Sequence, residues 1–243
     1  MIVDHTNRRV LEVLKDRDKA TVLAYLKQAR QDGPLAHVEE VTTDMWTGYV
    51  EAAREAFDNK VRITIDRFHV MKNFQERLDK ARRAIQRTLP AEAAQGLKGL
   101  RWLWLTNPEN LTADQRQELA ELKEMFPELG KLHDLRESLR ELFEDRGTQT
   151  AEAGMSRLRE WIQQARRVAS KAIEPFCTTL ENWLELIANY FVTRASNGRT
   201  EGFNHKLRAI LWRAFGMRNF HHFRLRILDA CRQPDPTQTH FST

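Results

Sequence analysis

The first 66 residues run strand, strand, helix, strand, helix, strand, and each of the last two strands ends on an aspartate. Met1-Ile2-Val3 and Arg9-Val10-Leu11-Glu12-Val13-Leu14 are apolar, β-branched runs separated by Asp4-His5-Thr6-Asn7-Arg8. That spacer is turn chemistry, so the two runs are expected to form a hairpin. Ala20, Leu23, Leu26 and Ala29 then recur at helical spacing, and Gly33-Pro34 stops the helix. Val38 to Thr43 reads as a strand leading into Asp44, and Tyr49, Val50, Ala53 and Phe57 mark a second amphipathic helix. Asp58-Asn59-Lys60 turns the chain into Val61 to Ile65, which leads into Asp66. Strands alternating with helices imply an α/β arrangement in which helices cover a sheet.

Beyond Phe68 the pattern is helical. Expected helices are 68–88, 97–105, 128–144, 152–170, about 172–190, 200–212 and 219–231, and Thr112-Ala113-Asp114-Gln115 reads as a capping box opening another. Trp102, Trp104, Trp161 and Trp183 sit at helical positions where core packing is the default. The expected organisation is an α/β core over 1–70, a helical insertion over 71–190, core helices over 191–232 and a disordered tail over 233–243, mostly helical overall. The 243 residues are enough for a sizeable core. No run approaches the roughly 18 apolar residues of a membrane span. Cys177 and Cys231 form no metal-ligand pattern, and two cysteines suit a reduced, cytoplasmic protein.

Chemistry concentrates at Asp44 and at Glu201, which enters a basic helix. On that helix Glu201, Asn204, His205 and Arg208 share one face, while Phe203, Leu207, Ile210 and Leu211 form an apolar one. A carboxylate at a strand end and another on a remote helix suit one magnesium site, with basic neighbours for phosphate. Each acid also has a plain structural reading. Glu201 suits a helix N-terminus electrostatically, and Asp44 and Asp66 both stand where helix N-caps stand. His69 is a candidate ligand whose plain reading, as a lone histidine entering a helix, is structural, and His221-His222 lacks a metal spacing with any Cys or Asp and reads as surface or core. The net charge of +5 is modest, but basic residues cluster over Arg67 to Arg87 and from Glu201 to Arg232, which favours polyanionic partners. No phosphate-binding glycine loop, zinc pattern or serine nucleophile elbow occurs.

The element order resembles a ribonuclease-H-like fold whose first strand is missing. Val41-Thr42-Thr43-Asp44-Met45 through Tyr49, Asp66-Arg67-Phe68-His69-Val70, and Asn197-Gly198-Arg199-Thr200-Glu201-Gly202-Phe203-Asn204 with Lys206 together resemble insertion-sequence transposases of the ISL-three family. The stretch from Ala209 to Phe223, with Arg213, Gly216 and Arg218, is similar as well.

The resemblance implies a DDE transposase domain: a ribonuclease-H-like core with a large helical insertion before the last acid, cutting transposon ends and joining them to target DNA. It implies Mg2+ or Mn2+ in a two-metal site, an oligomeric protein, and a bacterial, nucleoid-associated location. Carried over residue by residue, Asp44 matches the second acid and Glu201 the third, 201 − 44 = 157 residues apart. Arg67, Arg199, Asn204, Lys206, Arg208, Arg213 and Arg218 are the expected DNA contacts. The family's first acid lies on a strand before the hairpin, and no such strand occurs here. Asp4 sits at a hairpin turn, where that topology puts no ligand. The chain is therefore expected to be a carboxy-terminal portion, truncated at its amino end and impaired in strand transfer by itself. The reading from another class is a non-catalytic DNA-binding or oligomerising remnant. A third is a nuclease that cuts without joining.

Overall fold

The computed structural model describes residues 1–213 and 219–231, apart from the side chains of Ser170, Arg199 and Glu201. The expected tail over 233–243 lies outside the described residues. The chain divides into two compact units: Met1–Ile63 with the chain from Ser196 onward, and Thr64–Ala195.

In the first unit, β1 (Ile2–Asp4) and β2 (Arg9–Glu12) form the expected antiparallel hairpin, with Val3 opposite Val10 and Asp4 opposite Arg9. Asp4 stitches the turn, accepting from the Asn7 backbone N–H at 2.9 Å, the Asn7 side-chain amide at 2.7 Å and Arg9 Nε at 3.2 Å. Burial pushes its carboxyl up, but these Asn7 and Arg9 contacts prevail and hold it below the usual range. α1 (Lys19–Gln31) starts at Asp18, whose carboxylate accepts from the Thr21 N–H. Its buried face is Val22, Leu26 and Ala29, while Ala20 is exposed. Val22 and Leu26 are four apart and Leu26 and Ala29 three, so the stripe is helical but begins two residues later than expected. β3 (Glu40–Thr43) and β4 (Arg62–Ile65) make a second two-stranded sheet, with α2 (Thr47–Ala56) between them in sequence. The Arg62 N–H donates to the Glu39 carbonyl at 2.9 Å.

Strand alternation then builds layers, because successive side chains point to opposite faces. Ile2 and Leu11 of the hairpin and Val41 of β3 pack against Val22, Leu26, Ala52 and Ala56 of α1 and α2. Val3 and Val10 face the other way, packing with Phe203, Leu207 and Ile210 of α10 (Gly198–Arg213) and with Phe223, Ile227 and Leu228 of α11 (Phe220–Ala230). Both ribbons therefore share one helical layer, yet among the described residues they remain two separate two-stranded sheets.

The second unit is helical: α3 (Arg67–Gln86), α4 (Ala91–Gly99), α5 (Ala113–Met125), α6 (Pro127–Glu144), α7 (Ala151–Asn182), α8 (Leu184–Ala188) and α9 (Tyr190–Thr193). The capping box at α5 is present, Thr112 Oγ1 accepting from the Gln115 N–H and Gln115 Oε1 accepting from the Thr112 N–H. α7 is broken at Ala169 (φ −148°, ψ 42°). Its two halves fold back on each other, since Arg166 before the break donates to both Glu174 and Glu181 after it. The apolar centre is an edge-to-face cluster of Phe74, Trp161 and Phe176 at 4.9 to 6.0 Å between rings. Gly154 lets the Phe191 ring lie against α7, since a Cβ there would fall 2.2 Å from Phe191 Cδ2. Trp104 and Trp161 are buried as expected, but Trp102 is 42% exposed. Positions 102 and 104 lie about 200° apart on a helix and cannot share its buried face. The chain resolves this by leaving α4 through a 3-10 turn at Leu100–Trp102, after which Leu103 and Trp104 turn inward.

His133 of α6 is 2% exposed, edge-on to Trp104, and neither ring nitrogen has a hydrogen-bond partner. The Asp134 carboxylate at 3.6 Å from Nδ1 is too far for one. Burial, reinforced by Lys123 and Arg136, pushes its pKa down to about 4. The unfolded chain takes up this proton near pH 6.5 and the folded chain only near 4, so this stability is complete above 6.5 and is lost as pH falls towards 4. Between pH 7.5 and 4.5 the native chain should lose about 2.5 kcal/mol more than His133→Leu does. Urea melts of both proteins at the two pH values check this, and parallel losses would refute it.

Candidate functional site

The two strand-end aspartates have different fates. Asp66 is 1% exposed and is the N-cap of α3, its carboxylate accepting from the Phe68 N–H at 3.3 Å. Asp44 is not the N-cap of α2, because that position belongs to Trp46. Asp44 sits two residues before that cap, half-buried, just past Thr43, and its carbonyl accepts from the Trp46 N–H at 2.7 Å. The Trp46 indole lies over the first turn of α2, where a Cβ at Gly48 would fall 2.4 Å from the ring. Trp46 also meets Tyr49 edge-on at 4.3 Å. Burial raises the Tyr49 phenol, and the negative charge of Asp44 raises it further. Asp44 therefore stands just past a strand end, near the Trp46–Tyr49 aromatic pair, and is not the N-cap residue of α2.

α10 carries Glu201 in its first turn. Its register is fixed by Phe203, Leu207 and Ile210 against the hairpin and α11, by His5 Nε2 at 3.0 Å from Thr200 Oγ1, and by Lys206 Nζ, which donates to the Ala230 carbonyl. The last contact places a cation at the carbonyl end of α11, where the helix dipole favours it. With the apolar face anchored, His205, Lys206, Arg208 and Arg213 are exposed and Asn204 is half-buried. The side chains of Arg199 and Glu201, and all of Arg218, lie outside the described residues.

One compact unit holds Asp44 together with the α10 backbone at Arg199, Glu201, Asn204, Lys206, Arg208 and Arg213. Arg67 belongs to the other unit, its guanidinium 5.2 Å from the Phe68 ring, 5.6 Å from the Tyr190 ring and 4.0 Å from Glu144. Among the described residues no three His, Cys, Asp or Glu side chains gather where they could hold a metal. His221 and His222 are exposed with ring centres 6.2 Å apart. No described helix is long and apolar enough to cross a membrane.

Against known proteins, the family model for DDE transposases of the ISL-three type, described as "Transposase", matches residues 1–227. The transposase for insertion sequence element IS1001 of Bordetella parapertussis is 29% identical over 231 residues, covering 93% of this chain and 55% of the relative. The transposase for insertion sequence element IS1557 of Mycobacterium tuberculosis is 28% identical over 242 residues, covering 90% of this chain and 53% of the relative. The chain thus spans about half the length of the curated relatives it matches. No solved structure matches it.

Proposed function

Because the chain belongs to the ISL-three family of DDE transposases, we propose that the unit built from Met1–Ile63 and the chain from Ser196 is catalytic, cutting and joining DNA, with Asp44 and Glu201 as two of its acids. The observation that carries this reading is the position of Asp44. It lies just past the end of β3, it is not the cap of α2, and it belongs to the same unit as the start of α10.

The chemistry follows from those positions. Carboxylate oxygens suit Mg2+ or Mn2+, which when bound would activate a nucleophile and stabilise a leaving oxygen. Asp44 and Glu201 would hold the ion. Arg199, Asn204, Lys206, Arg208 and Arg213, stepping along α10, would position the phosphate backbone.

The core is ribonuclease-H-like in this reading. β1–β2 and β3–β4 share one helical layer without pairing to each other. The family resemblance implies a further strand beside these ribbons that carries the first acid. Asp4, the acid of the hairpin turn, is taken up by Asn7 and Arg9, so the 243-residue chain by itself is expected to be impaired in strand transfer for want of a third acid.

Two measurements test this. Mn2+ titrated into the chain should broaden NMR signals around Asp44 and the first turn of α10, and Asp44→Asn should abolish that response. In a Mg2+-dependent cleavage and joining assay on the element's own ends, the chain alone should give little or no joined product. Robust joining would overturn the incomplete site. DNA binding without any Mn2+ response at Asp44 would favour the non-catalytic reading.

A further inference from the structure

The second unit presents a charged surface that the catalytic reading does not use. Along α3, Lys72, Glu76, Lys80, Arg83 and Arg87 follow one another by four, four, three and four residues, so they form one stripe, and all five are exposed. Beneath the stripe lies Asp79, whose side chain is 10% exposed. Its Oδ1 accepts from Arg82 Nε at 3.0 Å, Arg82 Nη2 at 2.8 Å and Arg101 Nε at 3.0 Å, while Oδ2 lies 2.8 Å from Arg83 Nη2. Arg82 is 4% exposed and donates onward to Gln86 at 3.0 Å, so the anchor is rigid. A groove of about 340 Å³ runs over it, lined by Glu76, Asp79, Lys80, Arg83 and Arg87.

Three guanidiniums share one carboxylate here, and Lys80 and Arg87 add to the surplus. Glu76 is the other acid of the groove. Gathering like charges opposes folding unless something offsets them. A neutral or acidic surface is no worse for solubility, so the excess calls for a polyanion. Lys80, Arg83 and Arg87 step along the helix by roughly 5 and 6 Å, a ladder suited to successive phosphates of one strand.

We propose that this stripe of α3, with Lys80, Arg83 and Arg87 as its phosphate contacts and Asp79 as the positioning residue for Arg83, is a second DNA-backbone-binding surface on the helical unit. The proposal rests on the reading that the chain acts on DNA. It binds backbone without reading bases, since long cations on an exposed stripe meet phosphates first. Exposed Glu76 opposes that binding.

The test uses the whole chain and a labelled DNA duplex of unrelated sequence, with affinity measured across a salt series. The variants are Lys80→Gln/Arg83→Gln/Arg87→Gln on α3, Lys206→Gln/Arg208→Gln on α10, and Glu76→Gln alone. The α3 triple variant should flatten the slope of log affinity against log salt by about 2 to 3, at roughly 0.9 per phosphate contact. Glu76→Gln should tighten binding severalfold at low salt, an effect that misfolding cannot imitate. A wild-type slope in the triple variant, or no tightening in Glu76→Gln, overturns the α3 surface. If only the α10 variant weakens binding, the DNA reading stands without this surface. A wild-type chain with no salt-dependent DNA binding overturns both.

Discussion

Replacing Arg224 with alanine is expected to destabilise the first unit by about 3 kcal/mol, the lower end for breaking a buried ion pair. Glu12 ends β2 and is 8% exposed. Its two carboxylate oxygens accept from Nε and Nη2 of Arg224 on α11, and Oε1 also accepts from the Val13 N–H at 2.7 Å. The hydrogen bonds to Glu12 raise the Arg224 guanidinium further. Alanine would leave the carboxylate in place without its cation, while one backbone N–H remains. The lower end applies because the Arg224 side chain is 32% exposed and water can reach part of the gap. The double change Glu12→Gln/Arg224→Met should recover more than half the loss, because no unpaired charge then stays buried. Urea midpoints of the three proteins decide this. A loss under 1 kcal/mol for Arg224→Ala would mean that apolar packing of Ile227 and Cys231 alone fixes α11. Since α11 packs beneath the apolar face of α10, the same variant should also weaken the Mn2+ response expected near Glu201.

Arg136→Ala should have a larger effect, about 4 kcal/mol, confined to the helical unit. The Arg136 side chain is 2% exposed, and Nη2 donates to the Leu105 carbonyl at 2.9 Å and Asn107 Oδ1 at 2.7 Å, while Nη1 pairs with Glu137. One guanidinium thus holds the connection between the 3-10 turn and α5 against α6. Its removal strands a carbonyl and an amide oxygen and leaves a carboxylate that is 12% exposed to Arg140 alone. Arg136→Lys should not rescue it, because a point ammonium cannot reproduce the planar fork. Limited proteolysis across residues 105–111 should accelerate in both variants along with the fall in urea midpoint. Unchanged cleavage would show that Leu103, Trp104 and Leu111 suffice to hold the connection.

Local chemistry was legible in the residues where it is decided locally. The Thr112 capping box, the hairpin around Asp4 and the apolar face of Phe203, Leu207 and Ile210 all occur as their spacing predicts. Trp102 departs from its helical spacing because the chain passes through a 3-10 turn there, where the angular spacing changes. The exposed stripe on α3 was visible as a run of cations, but only the fold shows which of them are spent. Arg82 is buried on Asp79, whereas Arg83, held by the same carboxylate, stays exposed along with Lys80 and Arg87.

The family, the alternation of strands and helices, and the two acids at a strand end and a helix start were all determined by sequence, because periodicity and motif spacing are properties of short segments. Tertiary structure alone decided the rest. Asp44 and Asp66 occupy equivalent places in the sequence pattern, yet one is a buried cap and the other lies outside its helix. Bringing the chain from Ser196 back onto residues 1–63 depends on side chains more than a hundred residues apart, such as Val10 with Ile227 and Glu12 with Arg224. No local pattern encodes such pairings, because their energy exists only once both surfaces have left water together.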